Sequence, residues 1–247
     1  MDLTVVGCAG SFPGPDSPAS CYLVEHQGFR VLLDLGNGSL GALQRYADLE
    51  LIDAVLLTHL HVDHCIDLAS YYVARRYHPE GPRHVIPVLG PTGTAGRMAR
   101  AYDLPENPGM TEEFEFIDHL PGPVDLGPMR ITTTRVNHPV EAYAIRIDAG
   151  GRSIVYSGDT GPSDALVELA AGADLALFEA SFLEGDNPPD LHLTAREAAE
   201  HARKAEVGHL VLTHLVAWNP RDATREQAGR AYDGAFDLAR VGTTYQV

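Results

Sequence analysis

The chain is short of cysteine, of basic residues and of long apolar runs. Three cysteines, Cys8, Cys21 and Cys65, stand at irregular spacing among 247 residues. An odd number so placed makes no disulfide framework. Lysine and arginine total 18 against 34 aspartates and glutamates, a formal net charge of −16. That balance works against non-specific binding to nucleic acid or anionic membranes. No apolar run approaches the roughly 20 residues that a membrane helix needs. The opening "MDLTVVGCAG" has no basic segment followed by an apolar one, so no signal peptide is expected. Repeats, low-complexity tracts and linkers are also missing. The expectation is a cytoplasmic protein without a membrane partner, folded as one domain over residues 1–247.

Apolar segments of strand length recur along the chain. They include "LTVVGCA", "CYLVEH", "FRVLLDL", "AVLLTH", "IPVLG", "MRITTTRV", "YAIRID", "SIVYSGD", "LALFEA", "HLVLTH" and a final "TTYQV". Most are rich in β-branched residues and end at Gly, Asp, Asn or His. Helical patterns lie between some of them, near 38–47 and 63–77, in "PSDALVELAAG", in "TAREAAEHARKA" and in "TREQAGRAYDGAF". Thr194 and Glu197 have capping-box spacing. The order implies an α/β protein of two sheets with helices outside.

One stretch concentrates chemistry. "LLTHLHVDHCIDL" places His59, His61, Asp63 and His64 within six residues. If the segment is extended, His59 and His61 share a face, with Asp63 and His64 on the turn opening the next helix. Imidazole and carboxylate suit zinc, and also manganese or iron. Further ligands should be polar residues at the ends of apolar runs. His138 follows "ITTTRVN", Asp159 follows "SIVYSG" and His214 follows "HLVLT". Each alone reads equally well as a surface or turn residue. Cys65 reads as a packing residue.

The order H-x-H-x-D-H, then His, then "SGDT", then "LTH" resembles the metallo-β-lactamase fold superfamily. The resemblance implies a four-layer αβ/βα sandwich with two divalent metal ions at one sheet edge. It assigns one ion to His59, His61 and His138, and the other to Asp63, His64 and His214. Asp159 would bridge them, and Asp63 counts among the catalytic residues as well as the ligands. The nucleophile would be a metal-bridging hydroxide.

The Gly-rich opening "VVGCAGSFPGPDSPASCYLV" looks like the ribonuclease Z and phosphodiesterase branch. "FEASF" and "DLHLTAREAAEHARKA" match that branch at Glu179 and His192. By that resemblance His192 contacts the scissile phosphate or protonates the leaving oxygen, while Glu179 orients its ring. Two departures stand out. Only "PVEAYAIRIDAGGRSIVYSG" separates His138 from Asp159, where many ribonucleases Z carry a tRNA-gripping arm. "THLVAWNPR" replaces the family's usual ending after the last histidine ligand. Segments such as "GPDSPAS", "RRYHP" and "PPDLHL" most resemble actinobacterial atypical cyclic-nucleotide phosphodiesterases. The expected activity is hydrolysis of a small phosphodiester, a cyclic nucleotide such as cyclic AMP. RNA cleavage or carbonyl-ester hydrolysis (lactone or thioester) are the alternatives. A homodimer is compatible with the branch. Arg75, Arg76, Arg83, Arg97 and Arg100 face one acid, Glu80, between Leu68 and Ala101. They make either a positive rim or a solvated helix face. Trp218, the only tryptophan, either stacks on a base or packs under its loop.

Overall fold

The computed structural model describes residues 1–247 except Pro82 and Asp186. The first sheet comprises β1 (Asp2–Gly7), β2 (Cys21–His26), β3 (Phe29–Leu33), β4 (Ala54–Leu56), β5 (Ile86–Gly90), β6 (Phe114–Asp118) and the last strand, β14 (Thr244–Gln246). Its order is β14-β1-β2-β3-β4-β5-β6. The second comprises β7 (Val124–Leu126), β8 (Met129–Arg135), β9 (Tyr143–Ala149), β10 (Arg152–Tyr156), β11 (Leu175–Glu179), β12 (His209–Thr213) and β13 (Ala235–Leu238). Its order is β13-β12-β11-β10-β9-β8-β7. Each sheet is antiparallel on one side and parallel on the other.

Side-chain alternation explains the layers. Val31 and Leu33 point between the sheets, where they meet Ile145, Ile147, Ile154 and Val211. Leu32, between them in sequence, points the other way, into a cluster with Leu43, Leu68, Tyr71 and Met98. That outer layer contains α1 (Ser39–Leu43), α3 (Asp67–Arg76) and α4 (Thr94–Ala101). The far face of the second sheet is covered by α5 (Asp164–Leu169), α6 (Ala195–Lys204) and α7 (Arg221–Gly229). Strands buried on both faces read as continuous apolar runs, as "LALFE" does. The result is the expected four-layer αβ/βα sandwich.

Several local readings change. The pattern at 63–77 is two helices, α2 (Val62–Cys65) and α3, with a break at Ile66. The loop after β3 causes it. Leu35 N donates to the His64 carbonyl at 2.7 Å, and Asp67 N donates to Leu35 O at 3.1 Å. "TREQAGRAYDGAF" does not stay helical. The helix ends at Gly229, and Ala235–Leu238 pairs with β12 as a parallel edge strand. Strands β6 and β7 and helix α4 had no counterpart in the sequence reading. The capping box is present: Thr194 Oγ1 accepts from Glu197 N, and the Glu197 carboxylate accepts from Thr194 N. Between His138 and Asp159 lies only the β9–β10 hairpin, turning on Gly150 and Gly151 at φ 59° and 75°.

Candidate metal centre

The candidate ligands are delivered from strand ends or just beyond them. His59 and His61 follow β4, and Asp63 and His64 lie in α2. His138, Asp159 and His214 follow β8, β10 and β12. Two glycines let these segments close up. A Cβ on Gly36 would sit 1.9 Å from the Asp63 carbonyl oxygen, so the loop after β3 passes directly beneath α2. Gly158, at φ 57°, takes the left-handed turn that aims Asp159, and a Cβ there would lie 2.8 Å from Thr58 Cβ.

Two four-residue groups result. His59, His61, His138 and Asp159 bring their ligand atoms within 4.8 Å of one another, as do Asp63, His64, Asp159 and His214. Asp159 belongs to both. In the first, His61 Nδ1 lies 3.0 Å from His59 Nε2 and 3.2 Å from His138 Nε2. In the second, His214 Nε2 lies 3.2 Å from His64 Nε2 and 3.1 Å from Asp63 Oδ2. Asp159 Oδ2 is 3.6 Å from His59 Nε2, and Oδ1 is 3.1 Å from His64 Nε2.

These residues fit a pair of divalent cations. Convergent imidazole nitrogens leave each other few protons to share. Asp159 Oδ1 is buried and makes no hydrogen bond among the described residues. Such an orphaned oxygen calls for a positive partner. The outward-facing ring nitrogens, in contrast, are tied down. His59 Nδ1 lies 3.1 Å from Thr58 Oγ1, His138 Nδ1 2.9 Å from Leu191 O and His214 Nδ1 2.6 Å from Ser181 Oγ. His64 Nδ1 lies 2.6 Å from Asp34 Oδ2. This pattern fixes each ring so that its other nitrogen points inward.

Electrostatics agree with a cation site. Burial, reinforced by the neighbouring His64, pushes His59 well below the ordinary imidazole range. Burial also lowers His61 and His138. Asp159 sits well below the carboxylate range, where His214 and His64 overcome the opposing effect of burial. Burial also opposes the charged form of His64, but Asp159 and Asp34 outweigh it and hold the ring well above its usual range. The negative charge that holds a proton there would equally hold a metal ion, so metal uptake would release that proton.

Glu179 and His192 meet beside the second group. His192 Nδ1 lies 2.8 Å from Glu179 Oε1. Glu179 is fully buried, and its Oε1 also accepts from Thr160 N at 2.8 Å. Its Oε2 accepts from Ser181 Oγ at 2.9 Å and Ser181 N at 3.3 Å. Glu179, His192 and His214 are also close enough to hold an ion. With its oxygens already engaged by these donors, the carboxylate serves as an acceptor for His192 rather than as a ligand. Burial lowers the His192 pKa, but the Glu179 carboxylate and then Asp159 outweigh it and raise the pKa to about 9. His192 also borders a cleft of about 530 Å³ with Pro162, Asn187 and Arg196.

The sequence reading missed Asp34, Thr58, Tyr156 and Ser181. Asp34 is fully buried at φ 59° and accepts from Thr58 N at 2.7 Å and Tyr156 Oη at 2.9 Å, besides facing His64. A signal existed, because an aspartate ends the apolar run "RVLLD" as His138 and Asp159 end theirs. Four of the five arginines in the basic segment are engaged rather than free. Arg75 is buried, with Nη1 3.3 Å from Tyr71 Oη and Nη2 on the His84 carbonyl. Arg76 pairs with Glu112 and Glu113, Arg83 with Glu50 and Glu80, and Arg100 with Glu106. Burial pushes the Cys65 thiol up to about 12, consistent with packing. Trp218 does not pack under its loop. It is 71% exposed, with its ring 5.0 Å from that of Phe12.

Two mixed sheets between helical layers, with histidines and aspartates gathered at one edge, define a metallo-β-lactamase-type sandwich. The chain belongs to the beta-lactamase superfamily: residues 29–215 match the family described as "Beta-lactamase superfamily domain". It is 44% identical to an uncharacterised protein of Mycobacterium leprae (strain TN), covering 99% of this chain and 88% of that one. It is 31% identical to a ribonuclease Z of Mycobacterium bovis (a BCG Pasteur strain), with 98% of each chain covered. The crystal structure of the metallo-beta-lactamase fold protein YhfI from Bacillus subtilis matches with a TM-score of 0.89 and 29% identity, covering 99% of each chain.

Proposed function

We propose that the chain is a dinuclear metal-dependent phosphodiesterase acting on a small phosphodiester, with a cyclic nucleotide such as cyclic AMP as the leading substrate. His59, His61 and His138 would hold one ion and Asp63, His64 and His214 the other, with Asp159 shared. Zinc suits this donor set best, and manganese or iron are alternatives. Bound ions would offset the charge of the phosphoryl oxygens and lower the pKa of water at the site.

The observation that carries the reading is the Glu179–His192 pair, bonded at 2.8 Å beside the second ligand group. Glu179 orients the ring, and the imidazole in its protonated form donates to the departing oxygen. A ribose oxygen leaves poorly without a proton, so a phosphodiester makes full use of this acid. The exposed faces of Phe12 and Trp218 suit stacking on a base. Ser11, next to Phe12, approaches His214 Nε2 with its backbone N at 3.2 Å, which puts the aromatic pair close to the ligands.

A ribonuclease Z-like reading is favoured by the Mycobacterium bovis relative. The short β9–β10 hairpin, the paired arginines and the charge of −16 weigh against it. To separate these, the protein reconstituted with zinc or manganese is offered cyclic AMP, cyclic GMP, an aryl phosphodiester, precursor tRNA and a lactone. Turnover of a cyclic nucleotide with little cleavage of RNA or lactone is expected. Inactivity on all three small phosphodiesters refutes the proposal.

A further inference from the structure

Ser181 is buried two residues beyond Glu179. Its hydroxyl lies 2.6 Å from His214 Nδ1, 2.9 Å from Glu179 Oε2 and 3.2 Å from the His214 carbonyl oxygen. One hydroxyl proton cannot serve all three neighbours. The tautomer of His214 decides where it goes.

His214 Nε2 faces Asp63, His64 and Asp159 at 3.1, 3.2 and 3.4 Å and accepts from Ser11 N at 3.2 Å. A cation held by that group needs the Nε2 lone pair, which leaves the ring proton on Nδ1. Nδ1–H then donates to Ser181 Oγ. The Ser181 proton is free to turn to Glu179 Oε2, the nearer of the two remaining acceptors. In the opposite tautomer, Nδ1 accepts the Ser181 proton, and Glu179 Oε2 keeps only the longer contact from Ser181 N, at 3.3 Å.

We propose that Ser181 is a positioning residue that couples the metal ligand His214 to the Glu179–His192 pair. The chain of donors runs from His214 through Ser181 to Glu179, which accepts His192 on its other oxygen. The carboxylate that orients His192 is therefore fully bonded only when His214 is in its ligand tautomer. Asn219 Nδ2 donates to the Ser181 carbonyl at 2.7 Å, which anchors the serine from the side of the following loop. Ser181 makes no hydrogen bond to Asp63 or His192 among the described residues, so its influence on both sides passes through the two residues its hydroxyl bonds.

This inference rests on the metal-centre reading but not on the identity of the substrate. The test is chelator competition on zinc-loaded wild type, Ser181→Ala, Glu179→Ala and the double variant, with thermal melting to confirm folding. Wild type should bind two ions. Ser181→Ala should hold one of them about 10–100-fold more weakly, the usual effect of removing a group that orients a ligand. Glu179→Ala should weaken the same ion at least as much, because Glu179 bonds Ser181 and also Thr160 N beside ligand Asp159. The double variant should lose little more than Glu179→Ala alone, because Ser181 and Glu179 act in series. A residue that only packs would lower the melting temperature and leave metal affinity intact. Unchanged affinity in folded Ser181→Ala, or single losses that multiply in the double variant, overturns the relay alone. If Ser181→Ala does not fold, unchanged affinity in Glu179→Ala overturns it. Wild type that takes up no metal overturns the metal-centre reading and the relay together.

Discussion

Removing His192 tests the proposed chemistry most sharply. Its Nδ1 is held by Glu179 Oε1 at 2.8 Å, while Nε2 has no hydrogen-bond partner among the described residues. Against the lowering effect of burial, the Glu179 carboxylate raises its pKa, which favours the protonated ring. If Nε2–H protonates the leaving oxygen, His192→Ala should lower kcat about 10²–10⁴-fold on a cyclic nucleotide. That is roughly 2.7–5.5 kcal/mol of transition-state stabilisation. The same variant should lose far less on an aryl phosphodiester, because nitrophenolate departs without a proton. The assay is steady-state kinetics of wild type and His192→Ala on both substrates, each loaded with the same metal. Wild-type kcat on the cyclic nucleotide should also decline as pH rises through the His192 value, since the acid form is lost. Equal losses on the two substrates would refute the acid role and leave His192 as a phosphate contact. No loss on either would remove it from the mechanism.

Three further outcomes are expected. Asp34→Asn places an amide donor among Thr58 N, Tyr156 Oη and His64 Nδ1. It should weaken zinc binding about 10–100-fold by chelator competition, and unchanged affinity would deny Asp34 its orienting role. Trp218→Ala should raise KM for a cyclic nucleotide several-fold while leaving the aryl phosphodiester unaffected, since a stacked base contributes about 1–3 kcal/mol; equal KM values would remove the aromatic pair from substrate binding. His201 is buried, accepts from Ser163 N at 3.0 Å and is held below its ordinary value, chiefly by burial. The folded chain keeps it neutral where the unfolded chain takes up a proton, so its contribution is full above about pH 6.5 and fades below. Denaturant midpoints at pH 7.5 and 5.5 should therefore fall less in His201→Gln than in wild type, and parallel declines would contradict this.

What the sequence determined by itself is local. The spacing of His59, His61, Asp63 and His64 is written in six residues, and strand-end positions mark His138, Asp159 and His214. Apolar runs rich in β-branched residues carry the two sheets, and Thr194 with Glu197 carries a helix start, because each depends on neighbours a few residues apart. The interval before Asp159 was short enough to limit that stretch to one hairpin. Tertiary structure decided what depends on distant partners. Asp34 meets His64 and Tyr156 across the site, and Ser181 meets His214, because strands from both sheets end at one edge. Three of the five arginines that read as a positive segment, Arg76, Arg83 and Arg100, are matched by Glu50, Glu106, Glu112 and Glu113, which flank that segment in sequence. Backbone pairing also outweighed local pattern, breaking the helix at Ile66 and making Ala235–Leu238 a strand in place of helix. Side-chain spacing records which face a residue takes. Which groups share that face is set only when chain segments far apart in sequence pack together.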